Sequence, residues 1–155
     1  MKKPSQKIKE LNLVIPKAPE PVGSYAAFVR TGNLIFISGQ LPIDSSGKIT
    51  KGKIGDQLNI DQGQDAAYLC ALNIIAQITK ALEGDIDKVS KCIKLTGYVN
   101  SVDDFIEQPN IINKASNLIT NIFGDYNMHC RAAISSNSLP LGAAVEIDAI
   151  FEISQ

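Results

Sequence analysis

The chain has 155 residues, of which 45% are hydrophobic and 20% are charged, and its formal net charge at pH 7 is -1. This composition is typical of one globular domain with its own core, and it disfavours broad, salt-driven binding of nucleic acid, which needs a basic surface. No segment has the apolar length of a membrane span, and the N-terminus lacks the apolar run of a secretory signal. We therefore expect a cytoplasmic protein that does not bind membranes.

The first half of the chain predicts a short helix, a hairpin and a long helix. Ser5 to Leu13 fit a helix that Pro16 stops, and the β-rich runs AAFVR and LIFISGQ flank the turn signal TGN. A long polar loop, LPIDSSGKITKGKIGDQ, follows. Asn59 with Gln62 three residues later is a helix N-cap signature, and apolar residues then recur at helical spacing up to a stop at Gly84.

The second half predicts a strand, a helix and two further strands. KVSKCIKLTGYVNS alternates, with one expected face formed by Ile93, Leu95, Gly97 and Val99. Ser101 with Asp104 is a capping signature, and Pro109 should start or kink the helix that follows. That helix has an apolar stripe and ends at Gly124, and CRAAISS and AAVEIDAIFEI read as the closing strands.

These elements predict one α+β domain over residues 21–155, with two helices on one face of a mixed sheet, after an N-terminal extension of residues 1–20. The opposite sheet face keeps apolar residues such as Tyr98 and Ile150, so it needs a partner, and another copy of the chain is the simplest one.

The three cysteines, Cys70, Cys92 and Cys130, are odd in number and stand apart among apolar residues. The chain has no Cys-x-x-Cys pair, so the pattern favours buried free thiols in a reducing compartment over disulfides. Because His129 is the only histidine, a structural zinc site is disfavoured, and we expect no metal.

Four segments, in order from about Pro21 to Phe151, resemble the reactive intermediate/imine deaminase family (RidA, formerly YjgF, also called endoribonuclease L-PSP). They are VGSYAAFVRTGNLIFISGQLPID, GQDAAYLCALNIIAQI, KVSKCIKLTGYVNSVDDF and RAAISSNSLPLGAAVEIDAI. The order and spacing of the segments carry the resemblance. The N-terminal extension and the wider spacing before Asn59 are similar to the longer, YjgF/chorismate-mutase-like branch.

The resemblance implies a chorismate-mutase-like fold, a homotrimer whose sheets form an inner barrel, and ligand clefts between subunits. It also implies hydrolysis of enamines and imines such as 2-aminoacrylate to 2-keto acids and ammonia. No cofactor is expected, because an imine is already a good electrophile.

The resemblance also assigns roles to particular residues. Arg131 matches the arginine that binds the substrate carboxylate, a role that suits the two parallel N–H donors of a guanidinium. Glu146 matches the acidic residue near the attacking water, Tyr25 the tyrosine that covers the cleft, and Gly39 a glycine beside the ligand. The competing interpretation of Arg131 is an ion pair with Glu146 or Asp148 on an adjacent strand.

Three positions depart from the family pattern. Asp103 takes the place of an asparagine in the binding region, and Ala133 that of a cysteine two residues after the arginine. The family's Gly-Pro-Tyr is Gly-Ser-Tyr at Tyr25. Asp103 would repel an anionic ligand unless it were protonated or turned away, so the departures weaken the transfer of substrate identity while leaving the arginine in place.

Two other functions compete with deamination. An endoribonuclease could use His129, Arg131 and Lys94, but the single histidine and the acidic pI of about 5.8 disfavour it. A non-catalytic trimer that binds a keto acid would keep Arg131 but would not need Glu146.

Overall fold

A computed structural model describes residues 2–124 and 128–154. Its elements, in chain order, are α1 (Pro4–Glu10), β1 (Phe28–Thr31), β2 (Leu34–Gln40), α2 (Ile60–Ala81), β3 (Val89–Asn100), α3 (Gln108–Phe123), β4 (Cys130–Ser136) and β5 (Val145–Ile153), with short 3-10 turns at Ile86–Lys88 and Pro140–Gly142. No helix in the described part of the chain is long and apolar enough to cross a membrane.

The five strands form one mixed sheet in the order β1-β2-β5-β3-β4. All neighbours run antiparallel except β3 and β4, which are parallel and are joined by α3 as a crossover helix. The helices α2 and α3 pack against one face of this sheet, which we call the helix face. The predicted α+β class, with two main helices on one face of a mixed sheet, is confirmed.

Alternation along β5 places the core on the helix face. Residues at every second position of this strand are buried, from Val145 to Ile153, as the sequence predicts. Close approach of α3 depends on Gly97 of β3, where any side chain would collide with Ile112. Phe151 also meets Phe123 of α3 edge-on, with the ring centroids 5.3 Å apart.

The predicted start of α2 is confirmed by its capping geometry. The Asn59 side chain accepts from the Gln62 backbone N–H, and the Gln62 side chain accepts from the Asn59 N–H, both at 2.9 Å. The helix ends at Ala81, and Gly84 follows with a φ of 93°, a value that favours glycine.

Two predicted helix boundaries are wrong. α1 ends at Glu10 rather than at Leu13, because the chain leaves the helix at Asn12, whose φ is 51°. Ser101 and Asp104 do not cap α3, which begins at Gln108 with Pro109 in its first turn. The capping pattern is therefore incidental, while the prediction from Pro109 is confirmed.

A β-bulge changes which residues of β3 face the core. The pairing with β5 shifts register between Cys92 and Lys94, so that Cys92 is buried and Ile93 is only half-buried. The predicted alternation places these two residues the other way round. Cys70 is also buried, as expected, but Cys130 is exposed on the edge strand β4, so the prediction of three buried thiols fails there.

The sheet face away from the helices, which we call the outer face, carries exposed apolar side chains. Val29, Phe36 and Ile134 are 57%, 41% and 49% exposed. Phe36 pairs with Ile150 and Ile134 pairs with Tyr98, so these side chains span several strands. The predicted second apolar face is therefore present in the chain.

The N-terminal extension is anchored to the rest of the chain at both ends. Ser5 donates its backbone N–H and its hydroxyl to the Asp87 carboxylate, at 2.9 and 2.8 Å. Further along, the buried Gln77 of α2 donates to the Pro19 carbonyl at 2.6 Å. Residues around Pro19 are thereby held beside the end of β2.

Candidate functional site

Three of the predicted site residues lie together in one cleft on the outer face. Val145 and Ile147 point into the core, so Glu146 between them points outward. Its carboxylate lies directly over Gly39 of β2, where an added methyl group would collide with it. Tyr25, which is 52% exposed, lines the same cleft of about 730 Å³.

The Glu146 carboxylate has no compensating partner within the described ranges, where it makes no hydrogen bond and no ion pair. Burial raises the pKa of the Glu146 carboxyl, and the nearby charge of Asp148 raises it further. Asp148 in turn accepts a hydrogen bond from the Tyr98 hydroxyl at 3.2 Å. A half-buried carboxylate without a partner can take up a proton from a bound water or ligand.

Arg131 lies on the edge strand β4, and its side chain is on the helix face. Its Nη1 donates to the Ser116 hydroxyl oxygen at 3.0 Å, and its Nη2 donates to the Pro109 carbonyl at 3.3 Å. Both acceptors belong to α3 and both are uncharged. In the part of the chain that the structure describes, no carboxylate is paired with the Arg131 guanidinium.

The competing interpretation of Arg131, an ion pair with Glu146 or Asp148 on an adjacent strand, is wrong. β3 lies between β4 and β5, and Leu95 of β3 separates Arg131 from β5. Two strand spacings amount to about 10 Å, and the side chains of Arg131 and Glu146 also lie on opposite faces of the sheet. Within one chain, these two residues cannot contact the same small ligand.

Among the described residues, Asp103 makes no hydrogen bond or ion pair with Arg131 and does not line the cleft at Glu146. It is exposed in the turn between β3 and α3. Ala133, two residues after Arg131, packs partly against the core from β4.

The family model described as "YjgF/chorismate mutase-like, putative endoribonuclease" matches residues 6–152. The chain belongs to this family.

Individual relatives cover most of the YjgF-family chain. It is 39% identical to Protein TCP17 of Trypanosoma cruzi, over 95% of this chain and 92% of that protein. It is 29% identical to the human 2-iminobutanoate/2-iminopropanoate deaminase, over 86% and 83% of the two chains. The solved structure of Atu1372 from Agrobacterium tumefaciens, a protein of unknown function, is 45% identical and superposes with a TM-score of 0.87, over 97% of this chain and 94% of that one.

Sequence reasoning about this YjgF-family chain missed Ser116. Its hydroxyl is one of the two acceptors that Arg131 contacts on α3, and it also lies 3.0 Å from Nε2 of His129. Burial, and then the charge of Arg131, lowers the pKa of His129. The available signal was the position of Ser116 beside Ala115, on the buried stripe of a helix where most residues are apolar.

Proposed function

We propose that this protein hydrolyses enamine and imine intermediates, such as 2-aminoacrylate, to 2-keto acids and ammonia in a cleft between copies of the chain. The observation that carries the proposal is the half-buried, unpartnered Glu146 carboxylate above Gly39. Relatives in the same family that are named imine deaminases support the reaction class.

The proposed reaction is a tautomerisation followed by a hydrolysis. The enamine first tautomerises to the imine. Water then adds to the imine carbon, and Glu146 accepts a proton from that water and passes it to the imine nitrogen. The resulting carbinolamine loses ammonia to leave the keto group. One water is consumed, one ammonia is released, and no oxidant or reductant is required. Positioning and modest acid–base help are sufficient, because imine hydrolysis is already fast in water.

The proposal requires two copies of the chain at each cleft. Arg131 would bind the substrate carboxylate from the edge of one sheet, while the outer face of a neighbouring chain would supply Glu146, Gly39 and Tyr25. The exposed apolar side chains of the outer face support such an assembly, because apolar surface that spans several strands is stabilised by burial against another chain.

We expect the protein to be a homotrimer in solution. Packing of three outer faces into a barrel would bury Val29, Phe36 and Ile134, which are exposed in the single chain. Light scattering should therefore give about three times 16.7 kDa. A stable monomer would remove the cleft between copies, and the proposed site with it.

Release of a 2-keto acid is the direct test of the reaction. A serine or threonine dehydratase generates the enamine in the assay, and added protein should speed the appearance of keto acid. Arg131→Ala serves as the control. No acceleration by wild-type protein would favour the non-catalytic, keto-acid-binding alternative.

His129 should be dispensable for deamination. The reaction assigns it no proton transfer, so His129→Ala should release keto acid at a rate near that of the wild type in the dehydratase-coupled assay.

The nuclease alternative depends on this histidine together with Arg131 and Lys94. Lys94, however, is exposed on the outer face, whereas His129 and Arg131 contact Ser116 on the helix face. If highly purified protein cleaved RNA and His129→Ala abolished that cleavage, the nuclease alternative would be favoured over deamination.

A further inference from the structure

The Arg131 guanidinium is fixed before any ligand arrives. Arginine has several rotatable bonds, and on an edge strand it would ordinarily sample many orientations. Here each terminal nitrogen donates to a different acceptor of α3, the Ser116 hydroxyl at 3.0 Å and the Pro109 carbonyl at 3.3 Å. Two of its five N–H donors are thereby occupied, and three remain for a ligand.

The two acceptors differ in what holds them. Pro109 accepts through its backbone carbonyl in the first turn of α3. Ser116 accepts through a side chain that is only 7% exposed, on the buried side of the same helix. Since the Ser116 oxygen accepts from Arg131, its own proton is available to His129 Nε2, 3.0 Å away. The hydroxyl therefore has partners on both sides.

From this arrangement we propose that Ser116 is a positioning residue, which holds the Arg131 guanidinium in the orientation that receives the substrate carboxylate. The inference rests on the proposed function, since it assumes that Arg131 binds the carboxylate. Ser116 itself would not touch the ligand. Neither acceptor is charged, so the guanidinium is oriented without a carboxylate that would compensate its charge. Its attraction for an anionic ligand is therefore kept.

The expected effect is on binding rather than on chemistry. Ser116→Ala should weaken pyruvate binding by about 3–10-fold, the scale expected when one immobilised, rotamer-rich side chain is set free. In the dehydratase-coupled assay, KM should rise by a similar factor while kcat changes little, because Glu146 is not in contact with Ser116. A purely structural serine would lower the melting temperature and leave the ratio of KM to kcat unchanged.

Conservative variants separate the hydroxyl from the space that it fills. Ser116→Thr keeps the hydroxyl and should restore binding close to the wild type. Ser116→Cys fills the same space with a weak acceptor, so its affinity for pyruvate should fall by the same factor as that of Ser116→Ala. It provides the test if Ser116→Ala folds badly. Ser135→Ala is the matched control, because Ser135 contacts Ser101 and Gln108 and does not contact Arg131.

Calorimetric titration of each folded variant with pyruvate tests the positioning role of Ser116, and Arg131→Ala is titrated alongside. If Arg131→Ala loses binding while Ser116→Ala and Ser116→Cys keep it, the positioning role is wrong and the proposed function stands. If Arg131→Ala also binds normally, the proposed function fails and the role of Ser116 fails with it. Weak binding by Ser116→Thr, in a variant that melts like the wild type, would likewise contradict the role of the hydroxyl.

Discussion

Arg131→Ala should weaken binding of a 2-keto acid by about 10–100-fold or more. A charge-assisted hydrogen bond contributes about 1.5–3 kcal/mol, and a bidentate pair lies toward or above the upper end of that range. Arg131 makes no ion pair within the described ranges that would lower its affinity for an incoming carboxylate. Calorimetry with pyruvate measures the loss directly.

Arg131→Lys tests whether the geometry of the guanidinium matters as well as its charge. Lysine keeps the charge but has no planar pair of donors, so it should recover only part of the affinity that the alanine variant loses. Full recovery would mean that charge alone accounts for binding. Wild-type affinity in Arg131→Ala would instead make Arg131 a structural residue that ties β4 to α3.

Glu146→Gln should lower turnover by about 100-fold or more, the usual scale for the loss of general acid–base help. The amide keeps the size of the side chain but cannot accept the proton of the attacking water. It also removes a negative charge from the site of an anionic ligand, so keto acid binding should hold or tighten. The dehydratase-coupled assay and calorimetry together measure both halves of this prediction.

The pH dependence should follow from the environment of Glu146. Burial raises the pKa of this carboxyl above its ordinary value of 4.5. The base works only when ionised, so kcat/KM should fall as the pH is lowered through that raised pKa, and this acidic limb should be missing in Glu146→Gln.

A carboxyl with a raised folded-state pKa loses its contribution to stability as the pH rises through that pKa. The glutamine variant should therefore be no less stable than the wild type at neutral pH.

Full turnover in Glu146→Gln would show that the glutamate is not the base. A water held by backbone groups would then be the alternative for a catalytic protein. If the wild type itself failed to release keto acid while Arg131 still bound it, the non-catalytic binding protein would become the better description.

Local patterns in the sequence predicted most of the secondary structure, because these patterns depend on neighbouring residues. The alternation in β5 and the reciprocal cap of Asn59 and Gln62 are both interactions over short sequence distances, and both are confirmed. The burial of Cys92 in place of Ile93 was not predicted. A β-bulge depends on the register of a partner strand, which the alternation of one strand does not encode.

The site was predicted less completely, for the same physical reason. The resemblance to the family marked Tyr25, Gly39 and Glu146, and the structure brings these three residues into one cleft. Sequence alone did not place β3 between β4 and β5, so an ion pair between Arg131 and Glu146 looked possible. Ser116 was missed because its importance lies in a contact between a helix and a strand that are not neighbours in sequence.

The placement of Arg131 and Glu146 on opposite faces of one sheet has a genetic consequence. If each cleft is shared, every chain contributes the arginine to one cleft and the glutamate to another. A chain that lacks Arg131 and a chain that lacks Glu146 would then be inactive for different reasons. Assembled together, they would contain clefts in which the intact arginine of one chain meets the intact glutamate of the other. Two defective alleles of this gene could therefore complement each other in one cell, as they could not if both residues served a single chain.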